Sequence, residues 1–402
     1  MHPLLITLLF ALSSTSIATA IYWGLVPIRL RRIDRAVRRL RSGLELPVAR
    51  GRVSVVVPAH DEERVIGDLV RTILAQRDVD LELVVALDRC TDSTRLEVEK
   101  AAEGDPRLTI VDIDACPDDW AGKCHAAARG ADAATGDWLV FTDADVHFDP
   151  DAIRAAVAIA DHERVDLLSA FANLTGRSWW HAVVQPPAAV TLLRMFPPDR
   201  VNDEARPRSF ANGQFMLFSR ESYERVGGHE AVKGAVLEDL AFAAAVHEFD
   251  GRIRVVRSQE MIVTDMYESL EALLLGWRRI YIESAKRNLR RLSRNAILVF
   301  GSGLAPLGCW GAMTFGVLAS TFTDDVVLGT IGIASGFLGL VAQGSTLASI
   351  FGRSGFPRRG VLLWSMGCML IGRELLRGMT DLRRGRPIRW GGREYVLKPG
   401  RR

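Results

Sequence analysis

The sequence lacks the marks of several common protein classes. Its five cysteines include no Cys-x-x-Cys pair and no His/Cys spacing typical of zinc ligands, which argues against a disulfide framework and a zinc site. The formal net charge of +3 over 402 residues is too small to indicate a nucleic-acid partner. No internal repeat or low-complexity tract is present, so a repeat architecture is not expected.

Charge is absent from the first part of the chain. Residues 3–28 contain no charged side chain and are long enough to span a bilayer. Seven arginines follow between Arg29 and Arg41. Because positive residues flank the cytoplasmic end of a membrane helix, we predict an N-terminal transmembrane anchor over residues 1–28 and a basic juxtamembrane linker over 29–50, with the following domain in the cytoplasm.

Long apolar stretches return near the C-terminus. Residues 266–294 mix Leu, Trp and Tyr with Arg and Lys, a pattern typical of an amphipathic helix at the membrane interface. Two transmembrane helices are predicted within 295–351, joined by an acidic turn at Asp324 and Asp325. The remainder, 352–402, is predicted to be a re-entrant or interfacial segment with a basic cytoplasmic tail. This gives a multi-pass protein of the cell (inner) membrane.

The part between these membrane segments, residues 51–265, has an α/β pattern. Apolar runs that predict buried strands alternate with segments of helical spacing; the runs are Val53–Val57, Leu83–Leu87, Leu108–Val111 and a fourth that ends at Asp143. Uninterrupted apolar strands alternating with helices indicate a mainly parallel sheet covered on both faces. In such sheets, ligands bind beyond the carboxyl ends of the strands.

The fourth strand ends in Asp143-Ala144-Asp145. Side chains at positions i and i+2 of a strand point the same way, so the two carboxylates could converge beyond its end. Two hard oxygen donors suit a divalent cation such as Mg²⁺ or Mn²⁺, which in turn holds a phosphate. The plainer alternative is a turn with two solvated aspartates.

Three further polar clusters follow strands or open a helix in the same domain. They are Pro58–Glu63, Asp88–Thr94 and Trp120–Lys123. Taken alone, they suit an acidic helix start, a capping turn and a solvated lysine. Taken in chain order, they supply a carboxylate for a nucleobase or ribose, and a lysine at a helix start for a diphosphate. With the aspartate pair, this is the order that a nucleotide-sugar site needs.

These motifs resemble those of the membrane-anchored inverting family 2 glycosyltransferases with a GT-A fold, including the ceramide glucosyltransferase-like, hopanoid-associated and carotenoid-ester enzymes. The resemblance covers about Arg52–Asn288, with a looser match at Ile388–Tyr395. It implies a Rossmann-like, mixed but mainly parallel sheet with helices on both faces. The sequence departs from the family at Leu87, which stands where the first acid of the nucleotide-binding pair is expected.

The resemblance also implies roles for individual residues. Asp239 matches the general base, and Trp277 fits a motif found near the membrane in processive relatives, although an interfacial anchor is an equally good interpretation of that tryptophan. The implied sets are, for nucleotide-sugar binding, Ala59, Asp61, Glu62, Asp88, Lys123 and Asp143; for the metal, Asp143 and Asp145; and for the acceptor and diphosphate side, Glu238, Trp277 and Arg278.

The implied reaction is the inverting transfer of one sugar, with glucose expected, from a UDP-sugar to a hydroxyl or carboxyl of a membrane lipid at the cytoplasmic face. The expected cofactor is Mg²⁺ or Mn²⁺, and the expected partners are the UDP-sugar, the lipid acceptor and the bilayer, with no nucleic acid. Two alternatives remain open: a processive polysaccharide synthase, and an inactive membrane scaffold. A sugar-nucleotide pyrophosphorylase is disfavoured because no glycine-rich loop follows the first strand.

Overall fold

The fold was analysed in a computed structural model, which describes residues 3–176, 178–205, 208–322, 325–390 and 393–400. The α-helices are α1 (Pro3–Ala36), α2 (Ile66–Leu74), α3 (Thr94–Ala102), α4 (Gly122–Ala133), α5 (Ala152–Glu163), α6 (Trp179–Met195), α7 (Pro198–Val201), α8 (Arg220–Arg225), α9 (Glu238–Glu248), α10 (Leu270–Ser284), α11 (Leu289–Phe322), α12 (Val326–Arg353) and α13 (Trp364–Arg384). The strands are β1 (Val53–Ala59), β2 (Leu81–Asp88), β3 (Leu108–Ile113), β4 (Trp138–Phe141), β5 (Val146–Phe148), β6 (Leu167–Phe171), β7 (Asn173–Leu174), β8 (Met216–Ser219), β9 (Ile253–Arg257), β10 (Ile262–Thr264), β11 (Pro387–Trp390) and β12 (Arg393–Val396).

Seven of the described strands form the central sheet, in the order β3-β2-β1-β4-β8-β6-β9. Neighbouring strands run parallel except β8, which is antiparallel to both β4 and β6. The first four strands in this order are the ones that the apolar runs predicted. The structure therefore confirms the mixed, mainly parallel sheet of the predicted fold class.

Both faces of the sheet are covered, as the uninterrupted apolar strands predicted. Alternate residues of β1 enter different cores: Val53, Val55 and Val57 pack with apolar residues of α2 and α5, whereas Val56 packs with α4 and α9. Helix α4 lies very close to the sheet, because a Cβ atom at Gly130 would stand only 2.5 Å from a methyl group of Val56. This close packing determines the position of the N-terminus of α4 at the carboxyl edge of the sheet.

A second, three-stranded sheet (β5-β10-β7) stands beside the central one. Strand β5 follows β4 after a turn of four residues, 142–145, and pairs antiparallel with β10. The turn between the two sheets contains the Asp143-Ala144-Asp145 motif. The motif is thus fixed on both sides by strands of different sheets.

Three of the described helices are long and apolar enough to cross a membrane: Leu4–Ala36, Leu289–Phe322 and Val326–Arg353. Helix α12 approaches its neighbours closely at small residues. A Cβ atom at Gly336 would lie 2.4 Å from the carbonyl oxygen of Cys309 on α11, and one at Gly339 would lie 3.0 Å from the carbonyl oxygen of Ser16 on α1. Small residues of this kind permit the backbone contact that holds membrane helices together.

The segments flanking these helices differ in detail from the prediction. The first part of the predicted linker, residues 29–36, is helical and forms the end of α1. A 3-10 helix at Leu40–Glu45 follows and packs on α5. The predicted interfacial segment 266–294 is divided between α10 and the start of α11, and the stretch after Gly360 lies mostly in α13. Two of the predicted features are described only in part. Asp324 of the acidic turn, and Gly391 and Gly392 of the tail segment that resembles the family, lie outside the described residues. The predicted domain bounds stay predictions.

Candidate active site

A cavity of about 1450 Å³ opens at the carboxyl ends of β1, β2 and β4 and extends to the helices next to the predicted membrane. Most of the residues expected in the site line it: Ala59, Glu62, Asp88, Lys123, Asp143, Asp145, Glu238, Asp239 and Trp277. Asp61 and Arg278 are not in its lining. Positions far apart in the chain are therefore brought to one place by the sheet edge, α4, α9 and α10.

Lys123 lies at the centre of the charged part of this cavity. It stands in the first turn of α4, and its ammonium contacts Asp143 Oδ1 at 2.6 Å and the carboxylate of Glu238. Burial opposes the charged form of the lysine, but the two carboxylates outweigh it and raise its pKa. Burial likewise opposes ionisation of Glu238, yet the neighbouring ammonium holds the pKa of this carboxyl below its ordinary value. Lys123 and Glu238 are thus both charged at neutral pH.

Asp239 lies next to this ion-paired group at the start of α9. Its Oδ2 accepts the N–H of Gly213 at 2.9 Å, and its Oδ1 accepts the N–H of Leu240 at 2.7 Å. Burial, followed by the charge of Glu238, raises the pKa of Asp239 to about 7. A carboxyl group with this pKa can accept a proton near neutral pH, which is the property that a general base needs.

Gly213 allows these groups to meet. A Cβ atom there would stand 3.1 Å from the ammonium of Lys123, 3.2 Å from Glu238 Oε1 and 3.5 Å from Asp239 Oδ2. Any side chain at this position would displace the cluster by a few tenths of an ångström. The backbone at Gly213 therefore lies directly against the charged cluster.

The Asp143-Ala144-Asp145 motif lies in the turn after β4 and not in the strand itself. Strand β4 ends at Phe141, and the hydroxyl of Thr142 donates to the carbonyl of Gln214 at 2.8 Å. The expectation that strand alternation aligns the two carboxylates was therefore wrong, because the chain leaves the sheet two residues earlier. Both side chains nevertheless line the cavity.

The donor set at this turn fits a divalent cation. Oδ1 of Asp145 is buried and accepts no hydrogen bond within the described part of the chain. Burial, and then the charge of Asp143, raises the pKa of Asp145 to about 7. Glu62 has a pKa raised to about 7 by burial and by the same two aspartates. An excess of carboxylate oxygen is what a hard cation compensates.

The loop after β1 is hydrogen-bonded to the end of β2 and the loop that follows it. Asp61 adopts a positive φ of 54°, and its exposed carboxylate accepts the N–H of Thr91 at 2.7 Å. Nδ1 of His60 lies 2.6 Å from the carbonyl oxygen of Asp88. The carboxylate of Asp61 therefore joins the loops after β1 and β2 and does not line the cavity, and its role in nucleotide-sugar binding stays a prediction. Oxygen and sulfur atoms of Asp61, Cys90 and Asp92 lie within 4.8 Å of one another in these loops.

Asp88 does line the cavity, but its carboxylate already has a partner. The guanidinium of Arg89 donates to it through Nε at 2.9 Å and Nη2 at 2.6 Å. This bidentate pair raises the pKa of Arg89. A nucleobase bound here would therefore meet a joined Asp–Arg surface, with both acceptor and donor atoms, rather than a single carboxylate.

Arg278 is the second expected residue that the structure moves out of the site. Its guanidinium contacts Glu374 Oε2 at 2.5 Å and Asp381 Oδ2 at 3.1 Å on α13. Successive residues of a helix are about 100° apart, so the next residue, Arg279, lies on a different side of α10, and it lines the cavity. Glu374 is fully buried and also pairs with Arg373 and Arg377, so the contact with Arg278 belongs to an ion-pair network that only the packing of α10 on α13 reveals.

Two tyrosines in the cavity wall were not predicted as site residues. Tyr267 follows β10, and Tyr395 belongs to the C-terminal hairpin β11–β12. The hydroxyl of Tyr395 lies 3.4 Å from the N–H of Gly122, at the N-terminus of α4. Tyr395 falls within the tail segment that resembles the family, which was the available signal; no motif pointed to Tyr267.

Comparisons with known proteins agree with this geometry. Residues 54–227 match the family described as "Glycosyl transferase family 2". The chain carries a family 2 glycosyltransferase domain. It is 26% identical over 261 residues to 4,4'-diaponeurosporenoate glycosyltransferase of Staphylococcus aureus strain MRSA252, covering 64% of this chain and 68% of that protein, and 25% identical over the same length to the enzyme of strain USA300.

A solved structure has the same fold over nearly the whole chain. The mannosyltransferase PcManGT from Pyrobaculum calidifontis, solved in complex with GDP-Man and Mn²⁺, aligns with a TM-score of 0.50 and 19% identity. The alignment covers 94% of this chain and 99% of that one. This similarity agrees with the predicted GT-A fold. The match of residues 54–227 to the family identifies the protein as a glycosyltransferase, and three of its described helices are long and apolar enough to span a membrane.

Proposed function

We propose that this glycosyltransferase moves one sugar, with inversion, from a UDP-sugar such as UDP-glucose to a hydroxyl or carboxyl group of a membrane lipid at the cytoplasmic face. The observation that carries the proposal is the continuity of the cavity. The same space is lined by Lys123, Asp143 and Asp239 at one end and by apolar side chains such as Leu30 and Leu193 at the other.

The apolar end supports a lipid acceptor. Leu30 and Ile33 belong to the last turns of the membrane-length helix α1, and Ala189, Leu192 and Leu193 belong to α6. At the same end, Asp34 pairs with Arg257 at 2.5 Å and with Arg353 at 2.6 Å. A cluster of three charged side chains next to an apolar wall suits a molecule whose polar group lies at the membrane surface. The similarity to an enzyme named for diaponeurosporenoate is consistent with such an acceptor.

Asp143 and Asp145 would hold the divalent cation, which agrees with the Mn²⁺ named for PcManGT. When bound, such an ion neutralises charge that develops on a departing diphosphate. The chain's own residues supply the remaining steps. Lys123, at the N-terminus of α4, adds a positive charge near the phosphates, and α4 presents backbone N–H groups to them.

Asp239 would take the proton of the acceptor. In the proposed step, the acceptor oxygen bonds to the anomeric carbon as the bond from that carbon to the phosphate oxygen breaks. The electron pair leaves with the nucleoside diphosphate, and the proton of the acceptor passes to Asp239. An acceptor that is already a carboxylate needs no base, so dependence on Asp239 separates the hydroxyl from the carboxyl acceptor.

Labelled donors test the proposal. Membranes that contain the protein are incubated with UDP-glucose, other UDP-sugars and GDP-mannose, and the lipid extract is analysed by mass spectrometry. One glycolipid formed by the wild type and absent with Asp145→Asn supports the transferase. A ladder of long glycans on a gel would instead identify a processive synthase, and no donor turnover at all would indicate an inactive scaffold.

A further inference from the structure

A second cavity lies among the membrane-side helices, apart from the candidate active site. It is a groove of about 460 Å³ between the first turns of α11 and the last turns of α13, and it shares no lining residue with the large cavity. Its lining combines three arginines with apolar side chains, which include Arg290, Arg294, Arg383, Ile297, Leu298 and Met379. No step of the proposed reaction uses these residues.

The two helices that form the groove run antiparallel. A Cβ atom at Gly303 of α11 would lie 2.6 Å from Cβ of Cys368 on α13, and one at Gly372 of α13 would lie 2.6 Å from the ring of Phe300. A step toward the start of α11 is therefore a step toward the end of α13. The arginines of both helices thus meet at the same end of the groove.

The groove changes from charged to apolar along α11. Arg290, Arg294 and Leu298 are four residues apart, so they form one row along the helix, about 12 Å long at 1.5 Å per residue. No charged residue follows Arg294 in α11, and Ile297 is 68% exposed. Because α11 is long and apolar enough to cross a membrane, the groove lies across the expected boundary between headgroups and hydrocarbon.

The positive charge of the groove has no partner in the protein. Its three arginines are exposed, and none of them makes an ion pair or a side-chain hydrogen bond within the described residues. Helix α11 contains no acidic residue. The two acids of α13, Glu374 and Asp381, both pair with Arg278 of α10. The guanidinium groups are therefore available to an anionic ligand.

We propose that this groove binds one anionic phospholipid, with its phosphate on the three arginines and the start of an acyl chain along the apolar end. Guanidinium groups pair with phosphate oxygens through two parallel hydrogen bonds, and basic pockets between membrane helices bind phospholipid headgroups. A free phosphate ion would leave the apolar half of the groove empty. Beyond the interfacial position expected for residues 266–294, the groove would hold a lipid at one defined place.

Lipid binding to the full-length protein in detergent micelles tests the proposal. The groove variant is Arg294→Gln/Arg383→Gln. The matched control is Arg291→Gln/Arg384→Gln, which removes the same charge one residue further along the same two helices. Arg291 and Arg384 are exposed and do not line the groove. The probe is fluorescent phosphatidylglycerol, and the competitors are phosphatidylcholine and inorganic phosphate.

The groove variant should weaken binding of phosphatidylglycerol about tenfold to 30-fold, because each arginine near an anionic headgroup contributes about fivefold. The control should stay near the wild-type affinity, and Arg294→Lys/Arg383→Lys should recover most of the loss. Phosphatidylcholine and inorganic phosphate should compete much more weakly than unlabelled phosphatidylglycerol.

A second pair of variants examines the apolar end without changing any charge. Ile297→Ala should weaken phosphatidylglycerol about threefold to fivefold, because it removes apolar surface from the groove. Leu307→Ala is its control, since Leu307 is 66% exposed on the same helix and lies outside the groove. This pair decides the question if the arginine variants have a lowered melting temperature, and equal binding by the two would then overturn the proposal.

Unchanged binding by the groove variant would also overturn it. An equal loss in both double arginine variants would do the same, since it indicates diffuse attraction to a basic helix flank. Equal competition by phosphatidylcholine would leave only an apolar surface, and equal competition by inorganic phosphate only an anion site, so either result refutes a phospholipid site. These measurements involve no sugar transfer, and failure of the groove therefore leaves the proposed function intact.

Discussion

The two ends of the cavity differ in how their side chains are held. At the sheet end, Lys123 pairs with Glu238, and the carboxylate of Asp239 accepts the backbone N–H groups of Gly213 and Leu240. At the membrane end, Leu30 is half-buried and Leu193 is exposed, and both give only apolar side chains to the cavity wall. Chemistry needs fixed charges, whereas a lipid chain needs only an apolar surface of suitable width. The difference predicts that changes at the sheet end act on turnover and that changes at the membrane end act on acceptor affinity.

The largest effect is expected from Asp145→Asn. Loss of a proposed metal carboxylate should cost several kcal/mol in the transition state, or about 1000-fold in turnover. Sugar transfer to lipid and Mn²⁺ binding are measured together. The control is Asp114→Asn, an exposed carboxylate away from the cavity, which should leave both unchanged. Full Mn²⁺ binding by Asp145→Asn would remove this residue from the proposed metal site.

Asp239→Asn should come next, with a loss of about 100-fold to 1000-fold in kcat, because the acceptor then has no base. The KM for the donor should change little. The measurement is a steady-state assay with a hydroxyl acceptor fraction and an acid acceptor fraction of the lipid extract. Retained activity toward the acid fraction alone would identify a carboxylate acceptor, and retained activity toward both would exclude Asp239 as the base.

A pH profile examines the same end of the cavity. Asp239 acts only when ionised, and burial raises its pKa to about 7. Below that pH the protonated fraction grows, so kcat/KM should fall about tenfold for each pH unit and should level off above it. Donor binding is followed in parallel, because Glu62 and Asp145 also have pKa values raised to about 7. A rate that rises as pH falls below 7 would contradict this assignment.

Gly213→Ala should lower kcat roughly fivefold to tenfold, since a displacement of a few tenths of an ångström disturbs the alignment of Lys123, Glu238 and Asp239. The matched glycine control is Gly301→Ala, because a Cβ atom there meets no heavy atom within 4 Å. Both variants are assayed for transfer and for melting temperature. Equal activity of the two would mean that the cluster tolerates the shift.

The smallest effect is expected at the membrane end. Leu193→Ala removes apolar surface from the cavity wall and should raise the KM for the lipid acceptor about threefold to fivefold, or about 1 kcal/mol, with kcat and donor KM unchanged. Leu307→Ala, exposed on α11 and outside the cavity, is the control. A fall in kcat without a change in acceptor KM would break the proposed division between the two ends.

Much of the fold was predictable because it depends on local patterns. The apolar runs located β1 to β4, and the helix start expected at Lys123 is found in α4, Gly122–Ala133. Long uncharged stretches located the three membrane-length helices. Strand β8 was not predicted, since a short antiparallel strand inserted between β4 and β6 depends on contacts between distant parts of the chain.

The candidate site likewise has a part that local sequence motifs predict and a part that depends on contacts between distant residues. The sequence by itself determined which residues could carry charge chemistry, because Lys123, Asp143, Asp145 and Asp239 stand in motifs beside strand and helix ends. Only the tertiary structure decided which side chains enter the cavity. It joined Asp61 to a neighbouring loop, paired Arg278 with Glu374, and turned Arg279 and Tyr267 inward. The physical reason is that a motif specifies residue type and spacing, whereas the direction of a side chain depends on the rotation of its helix against partners far along the chain.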